Sequence, residues 1–175
     1  MKCWVHEGGI STPFIAHWPG VIRQPGRITP HVAHVMDIMP TCLDVAGARY
    51  PHMRGGKRTL PLEGTSLLTL FQGKAPPEHP PLFWGHEGDR AVRAGRWKLV
   101  CRHGGEWELY DMEADRTELN NRAGENPDIV AGLAARYDEW ASRCGVVPPE
   151  KLPRKSDIVP WYRRAPAARQ PAEKP

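Results

Sequence analysis

Between Leu82 and Asp111 short apolar runs alternate with turn residues. Leu82-Phe83-Trp84-Gly85-His86, Arg90-Ala91-Val92-Arg93, Trp97-Lys98-Leu99-Val100-Cys101-Arg102 and Trp107-Glu108-Leu109-Tyr110-Asp111 read as four strands. Ala94-Gly95-Arg96 and His103-Gly104-Gly105 supply turns between them. The pattern predicts an antiparallel meander with one face buried. After it the period lengthens. Val130, Leu133, Tyr137 and Trp140 recur at helical spacing and mark one apolar face. Asn126 is expected to cap this helix, with Pro127 at its first position and Gly145 as its stop. A small sheet must bury its apolar face, so the helix is expected to cover it.

The first half is less regular. Glu7-Gly8-Gly9 reads as a turn, and Pro13 to Trp18 as a short strand closed by Pro19-Gly20. Its near-continuous apolar character suits a strand buried on both faces, as in a parallel sheet. A helix is predicted from about Asp37 to Ala46. Asp37 serves as its cap, Pro40 falls in its first turn, Ile38, Cys42 and Val45 lie on one face, and Gly47 ends it. Residues 48–81 read as loop-rich, with one helical turn near Ser66 to Phe71 and a proline-dense connector, Lys74 to Pro81. The tail from Val146 lacks periodicity and reads as largely disordered, with Trp161-Tyr162-Arg163-Arg164 as a weak docking candidate.

Charge changes this picture little. Lys and Arg balance Asp and Glu over residues 1–145, so the whole excess of +4 falls in the tail. No basic stripe lies on a predicted element, which argues against a nucleic-acid-binding protein. No apolar run is long enough for a transmembrane helix, and no secretory signal pattern opens the sequence. Cys3, Cys42, Cys101 and Cys144 form no Cys-x-x-Cys pair and read as free, mostly buried thiols. His31 and His34 stand three apart, but no cysteine or carboxylate cluster supports a metal site there. His6 and His17 flank the first predicted strand, His17 beside Trp18, and neither is assigned chemistry.

Five segments in order resemble the C-terminal part of type I, formylglycine-dependent sulfatases, in the alkaline phosphatase-like superfamily. KCWVHEGGISTPFIAHWPG is similar to that family's Lys-x4-Glu-Gly-Gly segment running on to Trp-Pro-Gly. HVMDIMPTCLDVAGA and LEGTSLLTLFQG resemble its next two segments, and RAVRAGRWKLV and WELYDMEADRTELNN resemble the strands of its C-terminal subdomain. Asp115-Arg116-Thr117 departs from a usual Asp-Pro turn, and Asn121-Arg122-Ala123 from a usual leucine before alanine.

The resemblance implies an α/β fragment: the end of a sulfatase-like α/β catalytic domain over residues 1–81, then a small four-stranded antiparallel sheet packed with one helix over 82–145, then the basic tail, 146–175. It also implies hydrolysis of a sulfate ester by a formylglycine nucleophile with calcium, in relatives often exported to the periplasm or secreted. Lys2 matches the family's sulfate-contacting lysine, and a lysine is a compact cation with three donors for an oxyanion. His86, on the first hairpin of the sheet, is the second substrate-binding candidate. No Cys/Ser-x-Pro-x-Arg motif and no Ser-Asp-Asn-Gly occurs in the sequence, so it offers no nucleophile and no metal ligands. The expectation is a sulfatase fragment beginning at a break point, inactive alone and binding no cofactor by itself. The alternative is a stand-alone accessory or binding module derived from the same C-terminal region.

Overall fold

The computed structural model describes residues 4–152. Along the chain come a single helical turn, α1 (Glu7–Ile10), helix α2 (Ile38–Val45), a small hairpin of β1 (Met53–Arg54) and β2 (Lys57–Arg58), and the short helix α3 (Leu68–Phe71). Then follow β3 (Leu82–His86), β4 (Asp89–Ala94), β5 (Trp97–Cys101) and β6 (Trp107–Asp111), and finally helix α4 (Pro127–Cys144). The last four strands form one antiparallel sheet in sequence order, the meander that the alternation predicts.

Register explains the core. Phe83, Val92, Leu99 and Leu109 stand abreast across the sheet. Val92, Leu99 and Leu109 pack with Leu133 and Tyr137 of α4. Phe83 stacks on Trp140, ring centroids 5.2 Å apart. Each fully buried aliphatic side chain here contributes about 1.5–3 kcal/mol relative to exposure. Gly145 ends α4 at φ 68°, a left-handed conformation that glycine adopts without a Cβ penalty. Asn126 precedes Pro127 as expected, but its side chain does not cap the helix. Its Nδ2 donates instead to the Arg122 carbonyl.

The opposite face of the sheet is covered as well, which corrects the expectation of one buried face. Ala91, Val100 and Tyr110 cluster there with Val5 and Met112, and Trp84 packs against them. Lys98, which alternation alone would assign to solvent, has no exposed surface. The cover is the chain around α1, which also shows that Glu7-Gly8-Gly9 is a helical turn rather than a simple reversal.

The predicted strand from Pro13 to Trp18 is absent. This stretch is irregular, with Phe14 57% and Ile15 89% exposed. A strand needs a ladder partner, and no described strand lies beside it. His17 is likewise exposed rather than buried beside Trp18. Helix α2 forms close to its predicted bounds, yet its apolar face looks outward. Ile38, Cys42 and Val45 are exposed, and Thr41 is the residue turned in. The inward face is polar because Thr41 Oγ1 donates to the Asp37 carbonyl and accepts from Leu67 N–H. The sequence pattern does not predict the β1–β2 hairpin, because its two-residue strands are too short to show a periodicity.

Candidate functional site

Three of the motifs converge on Lys98. Its Nζ lies 2.9 Å from Glu7 Oε1 and 2.8 Å from Glu118 Oε1. Glu118 Oε2 accepts the Glu7 backbone N–H at 2.7 Å, so one carboxylate holds both the lysine and the start of α1. Arg93, half-buried and abreast of Lys98, adds a second positive charge near Glu7 and Glu118. Burial lowers the Arg93 pKa, and Arg116 opposes its charge further. A buried ammonium is tolerated only when paired and hydrogen-bonded, and this cluster meets that condition.

The loop after β6 aims Glu118. Asp115 accepts from Leu119 and Asn120 N–H at 2.8 and 2.7 Å and from the Thr117 hydroxyl at 3.1 Å. These bonds, the Asn120 N–H first, hold its carboxyl below the usual range. Glu118 takes φ 58° within this loop. Asp115 itself closes the turn in which Arg116 follows it.

The clasp seats the chain that follows Lys2 against the β3–β4 hairpin. Trp4, Val5, Gly9 and Ile10 line a hollow of about 130 Å³ together with Trp84, Gly85 and His86. His86 is exposed on its rim, at the end of β3. Lys2 lies outside the described residues, but Trp4, two positions on, shares this hollow with His86. Trp4 is stacked under the Arg102 guanidinium, 4.4 Å from its ring centre. His6 reaches Glu108 at 3.3 Å, and the Tyr110 hydroxyl donates to the same Glu108 oxygen at 2.7 Å. Burial, with the Glu108 bond second, raises the Tyr110 pKa and keeps the phenol protonated. The His6–Glu108–Tyr110 chain went unread in the sequence. Its one signal is the alternation of β6, which puts Glu108 and Tyr110 on the same face.

Asp37 has a larger role than a helix cap. It is fully buried, and its side chain makes no cap bond to α2. Its carboxylate accepts His34 N–H at 2.7 Å and Thr65 N–H at 2.8 Å, and meets His79 Nε2 at 3.0 Å. Nδ1 of His79 donates to the Pro80 carbonyl at 2.7 Å. Three loop segments are thus tied to one side chain. Gly64 passes so close to Met36 that an added Cβ would collide with the Met36 carbonyl. His34 packs edge-on to Trp84 at 5.8 Å, which connects this hub to the hollow. Burial lowers the pKa of His34 and of His31.

Among the described residues no group of three or more His, Cys, Asp or Glu is placed to hold a metal ion. The donors among the described residues therefore do not fit a calcium site. Cys101 is buried, but Cys42 and Cys144 are exposed, against the expectation of mostly buried thiols. Cys42 follows the outward face of α2, and Cys144 is the last residue of α4. Cys3 and residues 153–175, with the Trp161–Arg164 stretch, lie outside the described residues. No described helix is long and apolar enough to cross a membrane.

The family model described as N-sulphoglucosamine sulphohydrolase, C-terminal, matches residues 1–140. An uncharacterized sulfatase of Schizosaccharomyces pombe is 35% identical over 153 residues, which cover 83% of this chain and 27% of that protein. Arylsulfatase K of Mus musculus is 30% identical over 148 residues, 75% of this chain and 25% of the relative. The crystal structure of Ps i-CgsB shares the fold at TM-score 0.52 and 22% identity, over 63% of this chain and 24% of that one. The chain spans about a quarter of the length of these curated relatives.

Proposed function

This chain belongs to the sulfatase family, as part of its C-terminal region, and on that premise we propose that it supplies one wall of a sulfate ester hydrolase site. Lys2 contacts the sulfate, and His86 lines the approach of the substrate. The observation that supports this reading is the Lys98–Glu7–Glu118 clasp, which fixes the segment after Lys2 beside the hairpin bearing His86. A lysine ammonium held by such an anchor stabilises the oxyanion charge that grows on the sulfate in the transition state. His6, Glu108 and Tyr110 orient the same segment from beneath.

The nucleophile and the calcium ligands of the family are supplied from elsewhere in a sulfatase. When bound, calcium offsets the charge of the sulfate. The exposed apolar side chains of Phe14, Ile15, Val35, Ile38 and Met39 are where we place the contact with the remainder of the catalytic domain. Large apolar groups left in water are unfavourable and mark a surface that packs.

The test is reassembly. The chain is co-expressed with the part of the S. pombe relative outside the matched region, and hydrolysis of p-nitrophenyl sulfate is followed. The assembled pair is expected to turn over substrate and the isolated 175-residue chain to show none. Turnover by the isolated chain would overturn the reading.

A further inference from the structure

A second, larger hollow opens at the other end of the sheet. The first hollow sits at the His86 end of β3, whereas this one meets Leu82, the opposite end of the same strand. Their nearest lining residues on β3, Leu82 and Trp84, are two positions apart, roughly 7 Å along the strand. Its volume is about 1030 Å³. Its walls come from distant parts of the chain: residues 27–32, the loop 73–80, the β4–β5 turn and the loop after β6.

The lining is rich in cations. Arg27, Lys74, Arg93, Arg96 and Arg116 line it, together with the carboxylates of Glu78 and Glu113. Arg96 is already neutralised by a two-pronged pair with Asp111. The other four cations make no ion pair with a carboxylate of the described residues. Arg93 adds a sharper signal. Its Nε is buried without a hydrogen-bond partner, and the like charge of Arg116 acts on it from the same hollow. Arg93 and Arg116 both line the hollow, and an oxyanion bound between them would offset their like charge.

Volume and lining decide the kind of anion. The hollow is at the upper end of the range for ligand pockets and far exceeds one sulfate. Cations drawn from four separate stretches of the chain suit charges spread along an extended ligand. No Trp, Phe or Tyr lines it, so it lacks the stacking platforms with which proteins hold single-stranded nucleic acid. We propose that this cleft is a non-catalytic binding site for a sulfated oligosaccharide, gripping sulfate groups remote from the ester at the Lys2–His86 site. The choice of a sulfated ligand rests on the sulfatase reading above. The binding itself needs no turnover, so an inactive assembly and an empty cleft are separate outcomes.

The experiment titrates the 175-residue chain with a fluorescently labelled, size-defined heparin-derived hexasaccharide and reads anisotropy. Saturable one-site binding is expected. The exposed double variant Lys74→Gln/Arg116→Gln should weaken it at least about tenfold, through loss of two charge-assisted contacts. Arg93→Gln should do the same, with circular dichroism reporting its folding. Neutralising Lys57 and Arg58 on the β1–β2 hairpin should change it less than about twofold, since isolated exposed charges act weakly. Equal loss in the hairpin variant means diffuse electrostatics and overturns the proposal. So does loss confined to Arg163→Gln/Arg164→Gln, which would put the ligand on the tail. Equal affinity for inorganic sulfate, for the desulfated hexasaccharide or for a single-stranded oligonucleotide of matched charge would overturn the ligand class.

Discussion

Lys98 carries its ammonium beneath the sheet with no exposed surface, held between Glu7 and Glu118. Removing one member of such a cluster leaves uncompensated buried charge, so Lys98→Ala should cost about 3–5 kcal/mol in urea unfolding. The triple variant Lys98→Met/Glu7→Gln/Glu118→Gln should cost less than Lys98→Ala alone. If the two cost the same, the clasp is not the source of the stability. Titration adds a second prediction. His31 and His34 are held below their ordinary pKa by burial, so the unfolded chain takes up protons first as pH falls. Stability should therefore fall as pH drops below about 6.5, the unfolded histidine value, and His34→Gln should flatten that limb in melting curves against pH. Asp111 and Asp115 have depressed pKa values, and their contribution is present above about pH 4 and lost as pH falls further. At this scale sequence reading finds the acidic and basic letters but not their partners. Asp37 looked like a cap because its neighbours in the chain suit one. Its actual partners, Thr65 and His79, lie 28 and 42 residues away.

Elements whose pattern is local and repeated were legible. The four strands and α4 follow the alternation and the helical spacing almost to the residue, because one sheet and one helix bury each other. The Pro13–Trp18 strand failed for the complementary reason: its apolar run is clear, but its partner is not among the described strands. Helix α2 follows its expected bounds, but its inward face is polar, since Thr41 is held by the Leu67 N–H rather than placed by local hydrophobicity. Two glycines give predictions here. Gly145→Ala forces a left-handed φ on a residue with a Cβ and should destabilise α4 by about 1 kcal/mol, read as a shift in the denaturation midpoint. Gly64→Ala drives a Cβ into the Met36 carbonyl and should separate the Thr65 segment from Asp37. The check is the protection of Thr65 N–H in hydrogen exchange, which should drop in the variant.

Across the whole molecule stability is unevenly spread. The sheet, α4 and the segment at Val5 and Glu7 share two apolar clusters and the buried clasp. Residues 11–33 and 48–60 expose large apolar side chains and contribute few buried ones. Hydrogen exchange on the isolated chain should therefore show the sheet and α4 protected and those two stretches exchanging fast. Equal protection throughout would contradict this division. In the proposed assembly Phe14, Ile15, Val35, Ile38 and Met39 pack against the remainder of a sulfatase domain. What the sequence could not show at this scale is the hollow that brings Trp4 and His86 together, since it depends on the long-range clasp.

The most direct measurement is kcat/KM for p-nitrophenyl sulfate in the reassembled enzyme, with and without Lys2→Ala. A lysine that stabilises the transition-state charge should cost about 10²–10³-fold on removal, chiefly in kcat, as single oxyanion donors do. Lys57→Ala on the exposed β1–β2 hairpin should leave the rate unchanged. A Lys2→Ala assembly as active as the parent would contradict the account.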